Sequence, residues 1–268
     1  MVFINGEKID SFNFSGGEVS VKTYYTDTYV MVKANLRNSR DIMELLLICE
    51  VLKRQRCTIG LQIPYIPYAR QDRVCNEGEA FSIKVFAKLI NDIGAFKVSG
   101  WDVHSDVTNA LINNFHNVPC QDILSKCSEL EKLLSDNSVY ICSPDSGSLK
   151  KIQKVQEKFN IDNDRVILAT KIRDVSTGNI VNTEVYADNL KGRKVLIIDD
   201  ICDGGRTFIE LAKKIKIIGS GKIILYVTHG IFSKGFEVFE NIIDEVWTTD
   251  SFCNIKHPKL NIIGEDDV

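Results

Sequence analysis

Apolar runs of about five residues alternate along the chain with longer stretches whose apolar positions recur at helical spacing. Residues 41–54 form a helical stretch with Leu46 to Val51 at its centre, and Asp41 is placed to begin or cap it. Thr58 to Ile63 reads as a strand that stops at Pro64. Phe81 to Ile93 is helical in period and follows the polar loop 76–79, and Lys97 to Val103 reads as a strand. The second half repeats the pattern. Strands are predicted at 139–142, 165–170, 195–198 and 223–228, with helices at 147–159 and 207–217 between them. This alternation predicts an α/β chain with parallel sheets covered by helices. The polar stretch 135–138 separates two halves, so the expected domains are 1–137 and 138–268.

In open parallel sheets, ligands bind beyond the carboxyl ends of the strands. Polar clusters follow apolar strands after Ile63, Val103, Cys142, Ala169 and Ile198. The most informative run is Val195-Leu196-Ile197-Ile198-Asp199-Asp200-Ile201-Cys202-Asp203-Gly204-Gly205-Arg206-Thr207. A buried strand delivers two carboxylates into a glycine-rich turn, and a helix follows. Glycine lets backbone amides approach an anion, and the helix N-terminus adds a positive dipole. The carboxylates can hold ribose hydroxyls or a hydrated Mg²⁺. The run lacks the spacing of a P-loop, and Gly219-Ser220-Gly221-Lys222 is accounted for by a turn.

Composition narrows the class. The chain has 268 residues, 44% of them hydrophobic, with a formal net charge of −3. That balance suits two packed domains and gives no broad attraction to nucleic acid or an anionic membrane. The eight cysteines are scattered without a C-x-x-C, which fits free thiols in a reducing cytoplasm. The first residues do not have the pattern of a signal peptide, and no apolar run approaches the ~20 residues of a membrane span. In such a compartment the sequon Asn13-Phe14-Ser15 goes unused.

The run 195–207 resembles the phosphoribosyl-diphosphate signature of type I phosphoribosyltransferases and of ribose-phosphate diphosphokinases, also called PRPP synthetases. The likeness to the diphosphokinases extends over nearly the whole chain. It implies two phosphoribosyltransferase-like domains, each a mainly parallel sheet flanked by helices, the first binding ATP and the second the ribose phosphate. Phe14-Ser15-Gly16-Gly17-Glu18-Val19 is similar to F-S-D-G-E-V, which in the family holds adenine from a neighbouring subunit; here Gly16 replaces the Asp. Pro67-Tyr68-Ala69-Arg70-Gln71-Asp72-Arg73 matches the family's ATP-gripping loop without change, and its arginines can clamp phosphates bidentately. Asp102-Val103-His104 resembles D-L-H, whose histidine ligates a metal on ATP. Ser143-Pro144-Asp145-Ser146-Gly147-Ser148 is similar to S-P-D-x-G-G, with Asp145 placing a second metal or the ribose and Ser148 departing from the second Gly.

Lys171-Ile172-Arg173 resembles the K-x-R of the family's catalytic loop, and the polar stretch 174–182 suits a lid. The resemblance implies that Lys171 and Arg173 stabilise the transition state. Asp199, Asp200, Asp203, Gly204, Gly205, Arg206 and Thr207 would hold the acceptor. The implied reaction is Mg²⁺-dependent: the 1-hydroxyl of a phosphorylated ribose attacks the β-phosphorus of ATP and AMP leaves. Ribose 5-phosphate is the default acceptor, giving PRPP.

The turn here reads D-G-G-R-T where the family has D-T-G-G-T. That difference keeps ADP-ribose open as an alternative acceptor; a phage branch of the family uses it, forming ADP-ribose 1-pyrophosphate for NAD resynthesis. A phosphoribosyltransferase and a non-catalytic synthetase-associated subunit are the other readings. The complete first half, with Arg70 to Arg73 and His104, speaks against the former and the presence of Lys171 and Arg173 against the latter. The resemblance further implies a homo-oligomer built from dimers, such as a hexamer. The sequence ends without the family's C-terminal helical extension, so activity is expected to be independent of free phosphate.

Overall fold

The structure is a computed structural model that describes residues 1–173 and 180–264, the side chains of 171–173 and 180–182 falling outside the description. The chain divides into two compact units, Met1–Pro119 and Cys120–Val268. The division lies N-terminal to the boundary expected at 137/138, and the packing of the intervening segment explains the difference. Leu130 and Leu134 are fully buried. The guanidinium of buried Arg165 donates to the carbonyl oxygens of Leu134, Asp136 and Val139, tying this segment to the second unit.

The first unit begins with the hairpin β1 (Val2–Ile4) and β2 (Glu7–Ile9). A separate two-stranded hairpin follows, β3 (Ser11–Asn13) and β4 (Val19–Val21). Then come β5 (Tyr29–Ala34), α1 (Ser39–Arg54), β6 (Thr58–Gln62), α2 (Ser82–Ile93), β7 (Lys97–Trp101), α3 (Asp106–Leu111) and β8 (Phe115–Val118). The main sheet runs β2-β1-β5-β6-β7-β8; β5 to β8 are mutually parallel, and β1 is antiparallel to both its neighbours. Its core joins Val30, Val32 and Leu61 to Leu45, Ile48 and Leu52 of α1 and Phe86 and Ile90 of α2. The cap of α1 is Asn38 rather than Asp41: the Asn38 side chain accepts from the Asp41 N–H, while Asp41 in the first turn meets the N-terminal ammonium.

The second unit contains α4 (Cys120–Leu124), α5 (Ser128–Ser135), β9 (Val139–Ser143), α6 (Leu149–Phe159), β10 (Val166–Arg173) and β11 (Ile180–Tyr186). It continues with β12 (Lys194–Cys202), α7 (Arg206–Ile217), β13 (Ile223–Gly230), β14 (Glu245–Thr249) and β15 (Leu260–Ile263). The sheet order is β11-β10-β9-β12-β13-β14-β15, all parallel except β11. Strand β12 is central, and its apolar run Val195–Ile198 is buried on both faces, as in a parallel sheet covered by helices. Val195 and Ile197 share a cluster with Leu211, Ala212 and Ile215 of α7, and Leu196 and Ile198, equally buried, alternate to the other face. No helix among the described residues is long and apolar enough to cross a membrane.

Candidate active site

In the second unit, β12 carries Asp199 and Asp200 to its carboxyl end, and the chain turns through Asp203 and Gly204 into α7. Gly205 caps α7 with φ of 75°, a left-handed conformation that side chains resist. A Cβ on it would also stand 2.7 Å from the ring of Phe239. Phe239 is held by edge-on contacts with Phe232 and Phe236, ring centroids 5.5–5.8 Å apart, so the floor beneath the turn cannot yield easily. Among the described residues no side chain caps the first turn of α7, which contains Arg206 and Thr207, and its amides are placed to meet an anion.

The loop after β13 braces this turn from outside. Ile231 donates to the Cys202 carbonyl at 2.8 Å, Ser233 N–H donates to the Asp203 carbonyl at 3.2 Å, and the Ser233 hydroxyl donates to the Asp203 carboxylate. The stem of Lys234 passes 3.4 Å from the position a Cβ on Gly204 would take. Arg206 and Lys234 are both exposed, so two cations flank the turn.

Beyond the neighbouring strand β9, Asp145 caps the turn that leads into α6. One of its oxygens accepts from the Ser148 N–H at 3.1 Å. The Ser148 hydroxyl lies 3.2 Å from that oxygen and 3.0 Å from a carboxylate oxygen of Asp199. Asp199 is pushed well above the ordinary carboxylate range, first by burial and then by the charge of Asp200. Lys151 of α6 pairs with Asp200 at 3.7 Å. The structure thus brings Asp145, Asp199 and Asp200 together.

Strand β10 carries Lys171 and Arg173 in its backbone, opposite Thr183 and Ile180 of β11, with a register shift between Ile172 and Arg173. Their side chains, and residues 174–179 of the expected lid, lie outside the described residues.

In the first unit, the loops after β6 and β7 lie side by side at the carboxyl ends of adjacent parallel strands. Asp72 accepts from Arg73 at 2.9 Å and from the Ser105 hydroxyl at 2.7 Å. The Arg73 bond, aided by Ser105 and opposed by partial burial, holds the Asp72 carboxyl below its ordinary range. Asp72 is therefore turned toward protein partners, whereas Arg70, Gln71 and Arg73 are exposed. Asp102 adopts φ of 37°, and the next N–H, from Val103, bonds the Asn117 side chain at 3.1 Å, setting the bend that leads to exposed His104. Phe14 and Glu18 stand exposed at the tip of the β3–β4 hairpin, closed by the Phe14 N–H to Glu18 carbonyl bond of 2.9 Å. The hairpin is seated on α1 through the Ser11 hydroxyl, which donates to Glu44 at 2.6 Å.

Four residues that motif reading does not single out as site members stand in these arrangements: Ser105, Lys151, Ser233 and Lys234. Ser148 enters its sequence motif only as a departure from a glycine. A hydroxyl or ammonium one to three residues beyond a motif is the sequence signal that could have found Ser105 and Lys151.

Comparison with known proteins agrees with the geometry. Residues 4–94 match the family model for the N-terminal domain of ribose phosphate pyrophosphokinase, and residues 117–248 match the phosphoribosyl transferase domain. The ribose-phosphate pyrophosphokinase of Mycoplasmopsis pulmonis is 33% identical over 96% of this chain and 83% of its own length. That of Thermosipho africanus is 30% identical over 94% and 80%. The crystal structure of phosphoribosylpyrophosphate synthetase from Mycobacterium smegmatis superposes with a TM-score of 0.81 at 22% identity, covering 96% of this chain and 86% of that one, and so shares the fold. With both halves matched in order and almost all of this chain aligned to a 33% identical relative, the chain belongs to the ribose-phosphate pyrophosphokinase family.

Proposed function

We propose that this enzyme, a diphosphotransferase by family, moves the β,γ-diphosphate of ATP to the 1-hydroxyl of ribose 5-phosphate, releasing AMP and forming PRPP. The observation that carries the reading is the junction from β12 to α7. Two buried aspartates lead into a turn whose left-handed Gly205 leaves the first amides of a helix without a side-chain cap. Such a turn suits a terminal phosphate on the amides and ribose hydroxyls on the carboxylates. Arg70 and Arg73 in the first unit are exposed cations able to pair with the polyphosphate of ATP. Lys171 and Arg173 would offset the charge that spreads over the transferring group.

Mg²⁺ fits this donor set. Mg²⁺ is usually held by one or two carboxylates together with substrate phosphates and water, so an open set is what it needs. In the second unit Asp145 would contribute to one ion, and in the first unit His104 would contribute to a separate one. When bound, the ion supplies Lewis-acid polarisation of phosphate oxygens. Asp145 has one oxygen fixed by Ser148, which sets the direction of its carboxylate.

A second acceptor is favoured by one observation. Arg206 and Lys234 flank the turn as exposed cations, and the side chain of Lys234 rises beside Gly204. A ribose with a second phosphate beyond the first, such as ADP-ribose, would find partners there. The enzyme is to be offered Mg-ATP with ribose 5-phosphate or ADP-ribose in parallel, measuring AMP release and the mass of each product. Appearance of PRPP supports the first reading, and preferential diphosphorylation of ADP-ribose replaces it with the second. Absence of AMP with either acceptor removes both.

A further inference from the structure

Two polar residues at the start of α6 touch the acceptor carboxylates: Ser148, which departs from its motif's glycine, and Lys151, which lies beyond the motif. Ser148 is buried, with 6% of its surface exposed, and stands where the family motif has glycine. Its hydroxyl lies 3.2 Å from an oxygen of Asp145 and 3.0 Å from an oxygen of Asp199. The same Asp199 oxygen accepts the backbone N–H of Asp200 at 3.0 Å. The Asp145 and Asp199 oxygens both lie within hydrogen-bond distance of the one hydroxyl, which shares its proton between them and so holds the two side chains on either side of it. Ser148 and Asp199 are 51 residues apart in the chain. Three residues on, the ammonium of Lys151 reaches Asp200 at 3.7 Å, the two side chains being only 17% and 9% exposed.

The carboxylates of Asp145 and Asp200 both repel that of Asp199, and the repulsion grows as water is excluded. Without a compensating group they would rotate apart or draw in a cation. The serine hydroxyl and the lysine ammonium answer these two needs separately. We propose that Ser148 and Lys151 are positioning residues of the acceptor site, the hydroxyl locking Asp145 to Asp199 and the ammonium holding Asp200 before the acceptor arrives. This rests on the reading that Asp199 and Asp200 meet the acceptor's hydroxyls. A lysine in this position also competes with a divalent cation for the same carboxylates. It keeps the empty acceptor site from binding metal alone.

The test uses the full chain and variants Lys151→Met, Lys151→Arg, Ser148→Ala and Ser148→Gly. Mn²⁺ is titrated without substrate by electron paramagnetic resonance. Steady-state constants are taken with Mg-ATP and ribose 5-phosphate, and with ADP-ribose. Lys151→Met should bind Mn²⁺ about tenfold more tightly, the effect of one charge contact of roughly 1.4 kcal/mol. The same variant should raise KM for the acceptor by a similar factor while KM for ATP stays within about twofold. Lys151→Arg should restore both. Ser148→Ala and Ser148→Gly should raise acceptor KM about fivefold, as expected for one lost bond to a carboxylate. Unchanged Mn²⁺ affinity in Lys151→Met overturns the role of Lys151, and equal changes in the two KM values overturn the positioning role of either residue. If Lys151→Met does not fold, Lys151→Gln carries the same titration. A wild type that diphosphorylates neither acceptor defeats the acceptor reading instead, and the Mn²⁺ titration still decides the ammonium's role.

Discussion

Ser105 and Asp72 are joined by a 2.7 Å hydrogen bond that crosses from the loop after β7 to the loop after β6. Ser105 also caps α3 by accepting the Val107 N–H at 3.2 Å. One hydroxyl therefore couples the arginine loop to the strand end that bears His104. Ser105→Ala should loosen that coupling and raise KM for ATP about fivefold, the worth of one hydrogen bond to a charged group. The value of kcat should stay within about threefold, since the bond is not made to the reacting atoms. Initial-rate kinetics at varied ATP decides it; an unchanged KM would mean that the loops hold their places independently.

Gly205 meets two demands at once, a left-handed backbone and a close aromatic floor. Gly205→Ala should cost roughly 2–4 kcal/mol, combining left-handed strain with overpacking against Phe239. Urea denaturation measures the loss. A cost below about 1 kcal/mol would show that Phe232, Phe236 and Phe239 repack without difficulty.

Asp199 gives a prediction with a definite pH sign. Its folded-state pKa is raised, chiefly by burial. Below the ordinary carboxylate value of about 4, the group is protonated in folded and unfolded chains alike and contributes no difference. As pH rises past that value the unfolded chain ionises first, and the folded protein loses stability until its own Asp199 ionises. Asp199→Asn removes the penalty, so the variant should melt at a higher temperature than wild type at neutral pH, by about 2–4 °C per kcal/mol relieved. The gap should shrink toward zero as pH falls to 4, and the variant should turn over poorly. Melting curves across pH 4–8 check this, and a gap independent of pH would contradict the linkage.

What could be read in advance follows from where each signal is stored. β12 was legible because its run Val195–Ile198, buried on both faces, is apolar throughout; the strand itself continues through Asp199 and Asp200 to Cys202, past the point where the apolar signal stops. Strands β1 to β4, three residues each, are too short to carry a period, and they were not anticipated. The boundary shifted because the polarity of 135–138 suggested a linker, whereas the Arg165 guanidinium fastens its carbonyls to the second unit. The helix cap moved from Asp41 to Asn38 because both residue types cap well and only the turn geometry chooses between them. Motif residues were legible as chemistry; the partners that aim them were not. Ser148 meets Asp199 across 51 residues and Ser233 meets Asp203 across 30, separations that no local pattern encodes.

Lys171 leads β10 toward the segment that joins it to β11. A cation whose value lies in the transition state affects turnover more than binding. Lys171→Ala should lower kcat by about 10²-fold or more while KM for ATP changes little. Single-turnover measurement with labelled ATP separates chemistry from release. Turnover near wild type would remove Lys171 from the mechanism.

Arg206 and Lys234 make the acceptor choice testable within one molecule. Both are exposed and both border the turn, but they arrive from different directions: Arg206 opens α7, and Lys234 comes from the loop that braces Asp203. If they take up a second phosphate, each removes part of the same charge contact, and the losses should add for side chains that do not touch. Arg206→Gly and Lys234→Ala should each shift the ratio of kcat/KM for ADP-ribose over ribose 5-phosphate downward by about five- to tenfold, as charged hydrogen bonds do. The double variant should show roughly the product. Competition assays with both acceptors present give the ratio directly. An unchanged ratio would mean that neither cation selects, leaving ribose 5-phosphate as the acceptor best matched to the turn. If only Arg206→Gly moves the ratio, the second phosphate lies along the helix, beyond the reach of Lys234.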